Sequence, residues 1–444
     1  MPDMRNNTMS RKWGSIPGKA NLLLFLVLLA GLVLVKTCKF PYDADVDELS
    51  GLLVIEGGIV KGDTVQTITV SRSAPLSAPQ VHPVSGCDVS VLDEDGTEFI
   101  FSESKDGVYT ALITEDMLEY NRNYFVRVVT PNGNIYESDF EEMLPAAPVD
   151  SIYFLKEDVP QENGLLATVN QFYIDLKGTE DESRYYMWKL SETFEYHSSA
   201  RADYMYVYYD NVIFTDSISI HDTIVLPDTI IIIDTSWVEI RHYVDSIVPE
   251  PVYYPDSIYT CWLSSGISGL YTSSTINLTE NAKKRIPLHA IPLKNDKLNV
   301  KYSLLVKQYS LTPDAYAFWN MVKIETEETG GLYTQQPGQV ESNLHCVSDE
   351  NEKVLGYFWA SSVSTKRIFV TSSTVARYTY PYCELYLVED RSLFTEFPTY
   401  IMYIAEYGLE YTTEQQKCMN CLLRGGVNSR PDYWDDESVT VLTN

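Results

Sequence analysis

Cys418-Met419-Asn420-Cys421 is the tightest cluster of chemistry-bearing residues in the chain, and two thiols at this spacing could exchange electrons, hold zinc or join distant strands. Redox Cys-x-x-Cys pairs open a helix after a strand in a strand–helix alternation, which this chain lacks. Zinc wants a second Cys or His pair nearby. Structural disulfides are the better reading, with each cysteine reaching a distant partner. Cys261 and Cys383 are the favoured partners, with the pairing between them open, and they would pin the C-terminal segment onto the region before it. In the chain-entropy view, closing such long loops stabilises by about 4–5 kcal/mol each.

A second candidate is a ladder of aspartates. Asp216-Ser217-Ile218, Asp222-Thr223-Ile224, Asp228-Thr229-Ile230 and Asp234-Thr235-Ser236 begin six residues apart. Six is even, so in an extended strand Asp216, Asp222, Asp228 and Asp234 share one face. Carboxylates in a row could offer oxygen ligands to Ca²⁺. The preferred reading is solvation: the aspartates keep the neighbouring Ile runs from aggregating, and no cofactor is expected. The repeat sits in an insertion over 210–258, expected to be a hairpin turning near Pro227-Asp228.

Enzyme signatures are absent. His82, His197, His221, His242, His289 and His345 are scattered singly, with no metal-type pair one helical turn apart. There is no Gly-x-Ser-x-Gly elbow, phosphate loop or dinucleotide fingerprint. With 62 Asp and Glu, paired acids carry no information, so a glycan- or peptide-acting hydrolase stands only as a low-ranking alternative.

The N-terminus supplies an address. Arg5, Arg11, Lys12 and Lys19 precede fourteen apolar residues at 22–35, then Lys36-Thr37 and Cys38. This is the layout of an export signal, residues 1–37, cut ahead of a lipidated Cys38. A membrane span needs about twenty apolar residues, and this run falls short. Removing 1–37 takes away five basic residues and one acid, leaving 28 basic and 61 acidic residues and a net charge of −33. Such a body is repelled by nucleic acid and by anionic headgroups, so membrane attachment falls to the lipid. Residues 38–51, with Asp43, Asp45, Asp47 and Glu48, read as an acidic leader that holds the body off the membrane.

The elements behind these residues are mostly β. Tyr, at 33 residues, suits strands in which one ring face packs and the hydroxyl stays polar. Short apolar runs are punctuated by Asp95-Gly96, Asp106-Gly107 and Asn132-Gly133, the strongest local hairpin signal. Residues 52–144 are therefore expected to form a β-sandwich of immunoglobulin or transthyretin type. Cys87, alternating with Val89 and Val91, reads as a small buried residue in it. Leu144-Pro145-Ala146-Ala147-Pro148 marks a boundary. Residues 149–444 are expected to be a larger β-rich domain, with separate strands at 354–360 and 367–371. One helix interrupts it: Thr312 caps, Pro313 fits the first position, and Ala315, Phe318, Trp319 and Val322 form one apolar stripe.

The terminal Cys418-x-x-Cys421, Arg424-Gly425-Gly426 and Pro431-Asp432-Tyr433-Trp434 resemble the closing segment of a Bacteroidota lipoprotein family labelled domain of unknown function 4249. Further matching pieces are Leu53-Val54-Ile55-Glu56-Gly57, Ser71-Arg72-Ser73-Ala74-Pro75-Leu76, Pro83-Val84-Ser85-Gly86 and Val354-Leu355-Gly356-Tyr357-Phe358. The resemblance implies a lipid-anchored outer-membrane protein, exposed at the cell surface, that works beside a TonB-dependent transporter in nutrient uptake as an accessory or ligand-capture subunit. Cys346 is extra to the family pattern, which suits it, with Cys87, as a free thiol; the 210–258 insertion is likewise an elaboration. The alternative in a different class is a structural or adhesive surface protein that binds a partner by strand addition.

Overall fold

The computed structural model describes residues 51–74, 80–160, 165–220, 224–226, 229–231, 236–252, 255–293, 295–327, 342–371 and 383–435. The expected signal segment, Cys38 and nearly all of the acidic leader lie outside these residues. Among the described residues no helix is long and apolar enough to cross a membrane.

The chain is mostly β. Its first part supplies β1 (Leu53–Lys61), β2 (Val65–Arg72), β3 (His82–Pro83), β4 (Asp88–Asp93), β5 (Glu98–Lys105), β6 (Val108–Leu112), β7 (Asn123–Val129), β8 (Ile135–Ser138) and β9 (Glu141–Glu142). Then follow β10 (Val149–Pro160), β11 (Leu166–Lys177), β12 (Tyr185–His197), β13 (Tyr204–Ile220), β14 (Ile224–Leu226), β15 (Thr229–Ile231) and β16 (Ser236–Pro251). The last part holds β17 (Thr260–Ser274), β18 (Ala282–Pro292), β19 (Lys301–Ser310), helix α1 (Pro313–Glu327), β20 (Leu344–Cys346), β21 (Val354–Thr371), β22 (Tyr386–Leu387), β23 (Thr399–Ile404) and β24 (Leu409–Thr412).

The hairpins form where the turn pairs stand. β4 pairs with β5 across Asp95-Gly96, and β7 with β8 across Asn132-Gly133. Gly96 and Gly133 have φ of 85° and 87°, a region that a side chain disfavours. β5 turns the corner of the sandwich: Glu98, Phe99, Ile100 and Phe101 pair with β4, while Ser102, Glu103 and Lys105 pair with β6.

The sandwich is not closed by residues 52–144 alone. β1 pairs in parallel with β21 over nine residues, from Leu53 opposite Val354 to Lys61 opposite Ser362, and β20 pairs with β8. Leu344, Cys346, Val354 and Phe358 thereby enter one core with Ile55, Val70, Val91, Phe101, Tyr124 and Val126. A single 14-stranded network runs β17-β12-β19-β21-β1-β2-β6-β5-β4-β7-β8-β20, with β3 and β9 paired alongside. The boundary expected at Leu144–Pro148 thus takes a different form. The prolines end local pairing, yet strands from both sides of them share a sheet, and the described residues of 51–73 and from 80 onward fall into one compact unit. The reason is apolar area: each fully buried Val, Leu, Ile or Phe contributes about 1.5–3 kcal/mol, and this core needs the late strands to cover it.

β10, β11 and β18 form a three-stranded sheet whose inner face packs Phe172, Ile174, Ile286 and Leu288 against Trp188, Tyr302 and Leu304 of the long sheet. β16, β13, β23, β24 and β22 form a third sheet. Helix α1 starts as its sequence requires, with the Thr312 hydroxyl accepting from Ala315 N–H at 3.2 Å. Ala315 is fully buried, and Phe318 and Trp319 pack with Met187, Tyr357 and Trp359. In the insertion β13 pairs with β16 and β14 with β15, both antiparallel, and the turn expected near Pro227-Asp228 lies outside the described residues. Asp222, Asp228 and Asp234 lie outside the described residues, as does the side chain of Asp216.

Candidate functional site

The closing segment is tied to the body by covalent and polar links. Cys421 is joined to Cys261 and Cys418 to Cys383. Cys261 and Cys421 are fully buried. Next to them, Trp262 and Val427 exchange backbone hydrogen bonds at 2.8 and 2.9 Å. Arg424 bonds to Asp296 and lies 4.3 Å from the Tyr196 ring centroid, and Tyr196 donates its hydroxyl to Cys421 O at 2.7 Å. Trp434 is buried, its indole N–H donating to Glu195 at 2.8 Å while its ring meets Phe369 edge-on. Burial works against the Glu195 charge, but hydrogen bonds from His197 and Trp434 hold its carboxyl below the ordinary value.

Cys87 and Cys346 are free and buried, both in the sandwich core. Burial pushes the Cys87 thiol up, so it is a packed side chain rather than a nucleophile.

Two clefts carry buried carboxyls. The first, of about 490 Å³, is lined by Phe140, Glu141, Asp314, Phe318, Asn343 and Tyr357 among others. Glu141, on β9, is 5 % exposed. It accepts from Tyr357 Oη, from Thr312 Oγ1 at 2.7 Å and from Asn343 Nδ2 at 3.4 Å. Burial raises its pKa; the hydrogen bonds from Tyr357 and Thr312 oppose this, and the charge on Asp314 adds to it. Tyr357 is likewise pushed far up, by burial and then by Glu141 itself. Asn343 also clamps Phe358 in both directions, at 2.8 and 3.0 Å. The network stitches β9 to the α1 cap, 171 residues away, and to β21, 216 residues away.

The second cleft, of about 310 Å³, lies along β12, β17 and the Tyr433-Trp434 turn. The strand register sets Thr193 opposite Ser264, Glu192 opposite Ser265 and Ser191 opposite Gly266. Thr193 Oγ1 lies 2.8 Å from both Ser264 Oγ and Tyr433 Oη. The Arg367 guanidinium stacks 3.6 Å from the Tyr433 ring centroid and donates to Ser303 at 2.7 Å. Glu192, 4 % exposed, is bound by the Lys297 ammonium and by hydroxyls of Tyr302 and Ser265 at 3.1 and 3.2 Å. Burial, and then the Glu192 charge, raise the Tyr302 phenol well above its ordinary value.

The four cysteines singled out in the sequence are brought into two bonds, whereas Glu141, Glu192, Thr193 and Tyr357 had no signal of their own. Among the described residues no three His, Cys, Asp or Glu side chains gather as a metal site. Each cleft offers fixed donors and acceptors beside an aromatic ring, an arrangement suited to binding a small polar molecule.

Fold and clefts together define a mostly β, disulfide-linked protein whose late strands complete its early sandwich. Residues 39–367 match the family described as Domain of unknown function (DUF4249), and the chain belongs to that family. The match takes in both β1 and most of β21, so the Leu53-Val54-Ile55-Glu56-Gly57 and Val354-Leu355-Gly356-Tyr357-Phe358 pieces are partners in one parallel pair. None of the curated proteins matches the chain.

Proposed function

We propose that the chain is an outer-membrane lipoprotein, anchored through Cys38 and displayed at the cell surface. In this reading it serves a TonB-dependent transporter in nutrient uptake as an accessory or ligand-capture subunit, without catalysis of its own. The observation that carries it is the order of parts: basic residues, fourteen apolar residues, Cys38, then an acidic body. Two disulfides fit an oxidising compartment and lend it support. The resemblance to Bacteroidota lipoproteins supplies the transporter. Co-purification from outer membranes solubilised in mild detergent is the test, with the transporter expected alongside; recovery of the chain alone, under conditions that keep other transporter complexes whole, overturns it. Cys38→Ser is expected to move the protein out of the membrane fraction.

One observation favours a second reading, an adhesive protein that binds by strand addition: β16 is terminal in its sheet among the described residues. Deleting residues 211–244 shortens the β13–β16 pair while leaving the β13–β23 pairing at Tyr204 to Tyr206 intact. Lost partner binding in a folded deletion variant supports adhesion, and unchanged binding removes it.

A further inference from the structure

The cleft beside Tyr433 has a chemistry that selects among ligands. We infer that it binds a neutral saccharide, an assignment that rests on the ligand-capture role and names what is captured. Ser191, Thr193 and Ser264, on one face of the β12–β17 pair, put three hydroxyls along it. A hydroxyl donates once and accepts twice, so the bonds Thr193 makes to Ser264 and Tyr433 leave hydrogen-bonding capacity in the group. Ligand hydroxyls, which also both donate and accept, match that capacity. An apolar ligand would strand these groups, each at a cost of unmade hydrogen bonds.

Charge points the same way. The side chains on this wall include one cation, Arg367, already engaged by Ser303, while the Glu192 carboxylate faces the opposite side of β12, where Lys297 holds it. A charged ligand would find no net attraction there, and an anion would also approach a chain of net charge −29. The volume of about 310 Å³ is at the lower end for small-molecule sites, suited to one or two sugar rings.

The wall is held before any ligand arrives. Tyr433 is fixed by Thr193 and Arg367, Trp434 by Glu195, and the strand under them by the Cys261–Cys421 bond. A preformed wall lowers the ordering cost of binding. Gly266, opposite Ser191, has nothing within 4 Å of where a Cβ would stand, and its backbone needs no positive φ. A side chain placed there enters the cleft without displacing the fold.

The test is calorimetric titration of the full chain with glucose, galactose, mannose, N-acetylglucosamine and maltotriose, with glucuronate as the charged counterpart. Saturable binding of at least one neutral sugar is expected, weakened about tenfold or more by Gly266→Phe and little changed by Gly266→Ala. Thr193→Val keeps the shape and removes one hydroxyl, and is expected to weaken binding about tenfold even if Gly266→Phe fails to fold. No binding by any neutral sugar, glucuronate binding as tightly, or affinity unchanged in both variants overturns the inference. Transporter co-purification of the parent chain reads the wider role separately: sugar binding can fail while the partner is retained.

Discussion

Glu141 and Glu192 are buried to the same degree and are held in opposite ways. Glu141 has only neutral donors, Tyr357, Thr312 and Asn343, and it joins β9, α1 and β21 where no disulfide is near. Glu192 has an ammonium, Lys297, and sits in a region also fastened by Cys261–Cys421 and by Arg424 with Asp296. A carboxylate with neutral donors keeps much of its desolvation cost, so the junction it builds responds to protonation. One with a cation beside it carries its compensation along. A pH-responsive junction is therefore expected in the middle of the molecule, and a covalently and ionically fixed closing segment beside Glu192.

The largest expected effect tests whether that fixing is covalent first. Replacing Cys261 and Cys421 together by Ala opens a loop of 160 residues, against 35 for Cys383 with Cys418. The chain-entropy relation gives losses of about 5 and about 4 kcal/mol respectively. Denaturant midpoints of the two double variants measure this. A negligible loss from the first pair would show that the polar contacts of the closing segment hold it unaided.

Next in size is Glu192→Ala, which leaves the Lys297 ammonium without its partner. Lys297 is 28 % exposed and can turn toward water, so the expected loss is about 2 kcal/mol, short of a fully buried broken pair. A double-mutant cycle with Lys297→Ala should return a coupling of about 1–2 kcal/mol. Coupling near zero would make Tyr302 and Ser265 the effective partners, and the contrast with Glu141 would lose its basis.

How much of this was legible in the sequence follows the range of the interactions. The hairpin turns and the Thr312 cap are local, and their residues announced them. The parallel β1–β21 pairing joins residues some 300 apart, and nothing in either strand states its partner. Even so, Gly356 holds a trace: a Cβ there would lie 2.0 Å from Ile55 O, so only glycine permits the approach. From the sequence, residues 354–360 and 367–371 read as separate strands. In the structure they continue one strand, β21, because Ser361 donates to Ser310 O at 2.7 Å and Ser362 to Leu144 O at 2.5 Å. Polar side chains can be buried in a strand when backbone acceptors wait for them, and that is a tertiary fact. Among 62 acids, the two that matter had no mark.

Thr312→Ala probes the Glu141 junction with a smaller effect. It removes a donor to the carboxyl and the side-chain cap of α1 in one step. A loss of about 1–2 kcal/mol is expected, with Thr312→Ser restoring most of it. If Ser fails to restore stability, the methyl packing rather than the hydrogen bonds carries the effect.

The smallest effect is a slope. Because the folded-state pKa of Glu141 lies above its ordinary value of 4.5, the native chain keeps this proton at pH values where the unfolded chain has lost it. Stability therefore falls as pH rises from the unfolded value through the raised one, then levels off. The other carboxylates titrate too, so the measurement is the difference between the parent and Glu141→Gln, which keeps the shape and cannot ionise. The parent should lose stability relative to the variant across that window, with the gap constant above it. A gap that does not change with pH would mean that Tyr357 and Thr312 fully offset the burial of the charge. Glu141 would then be a compensated anion, and its contrast with Glu192 would rest on the kind of donor alone, neutral hydroxyls and an amide against an ammonium.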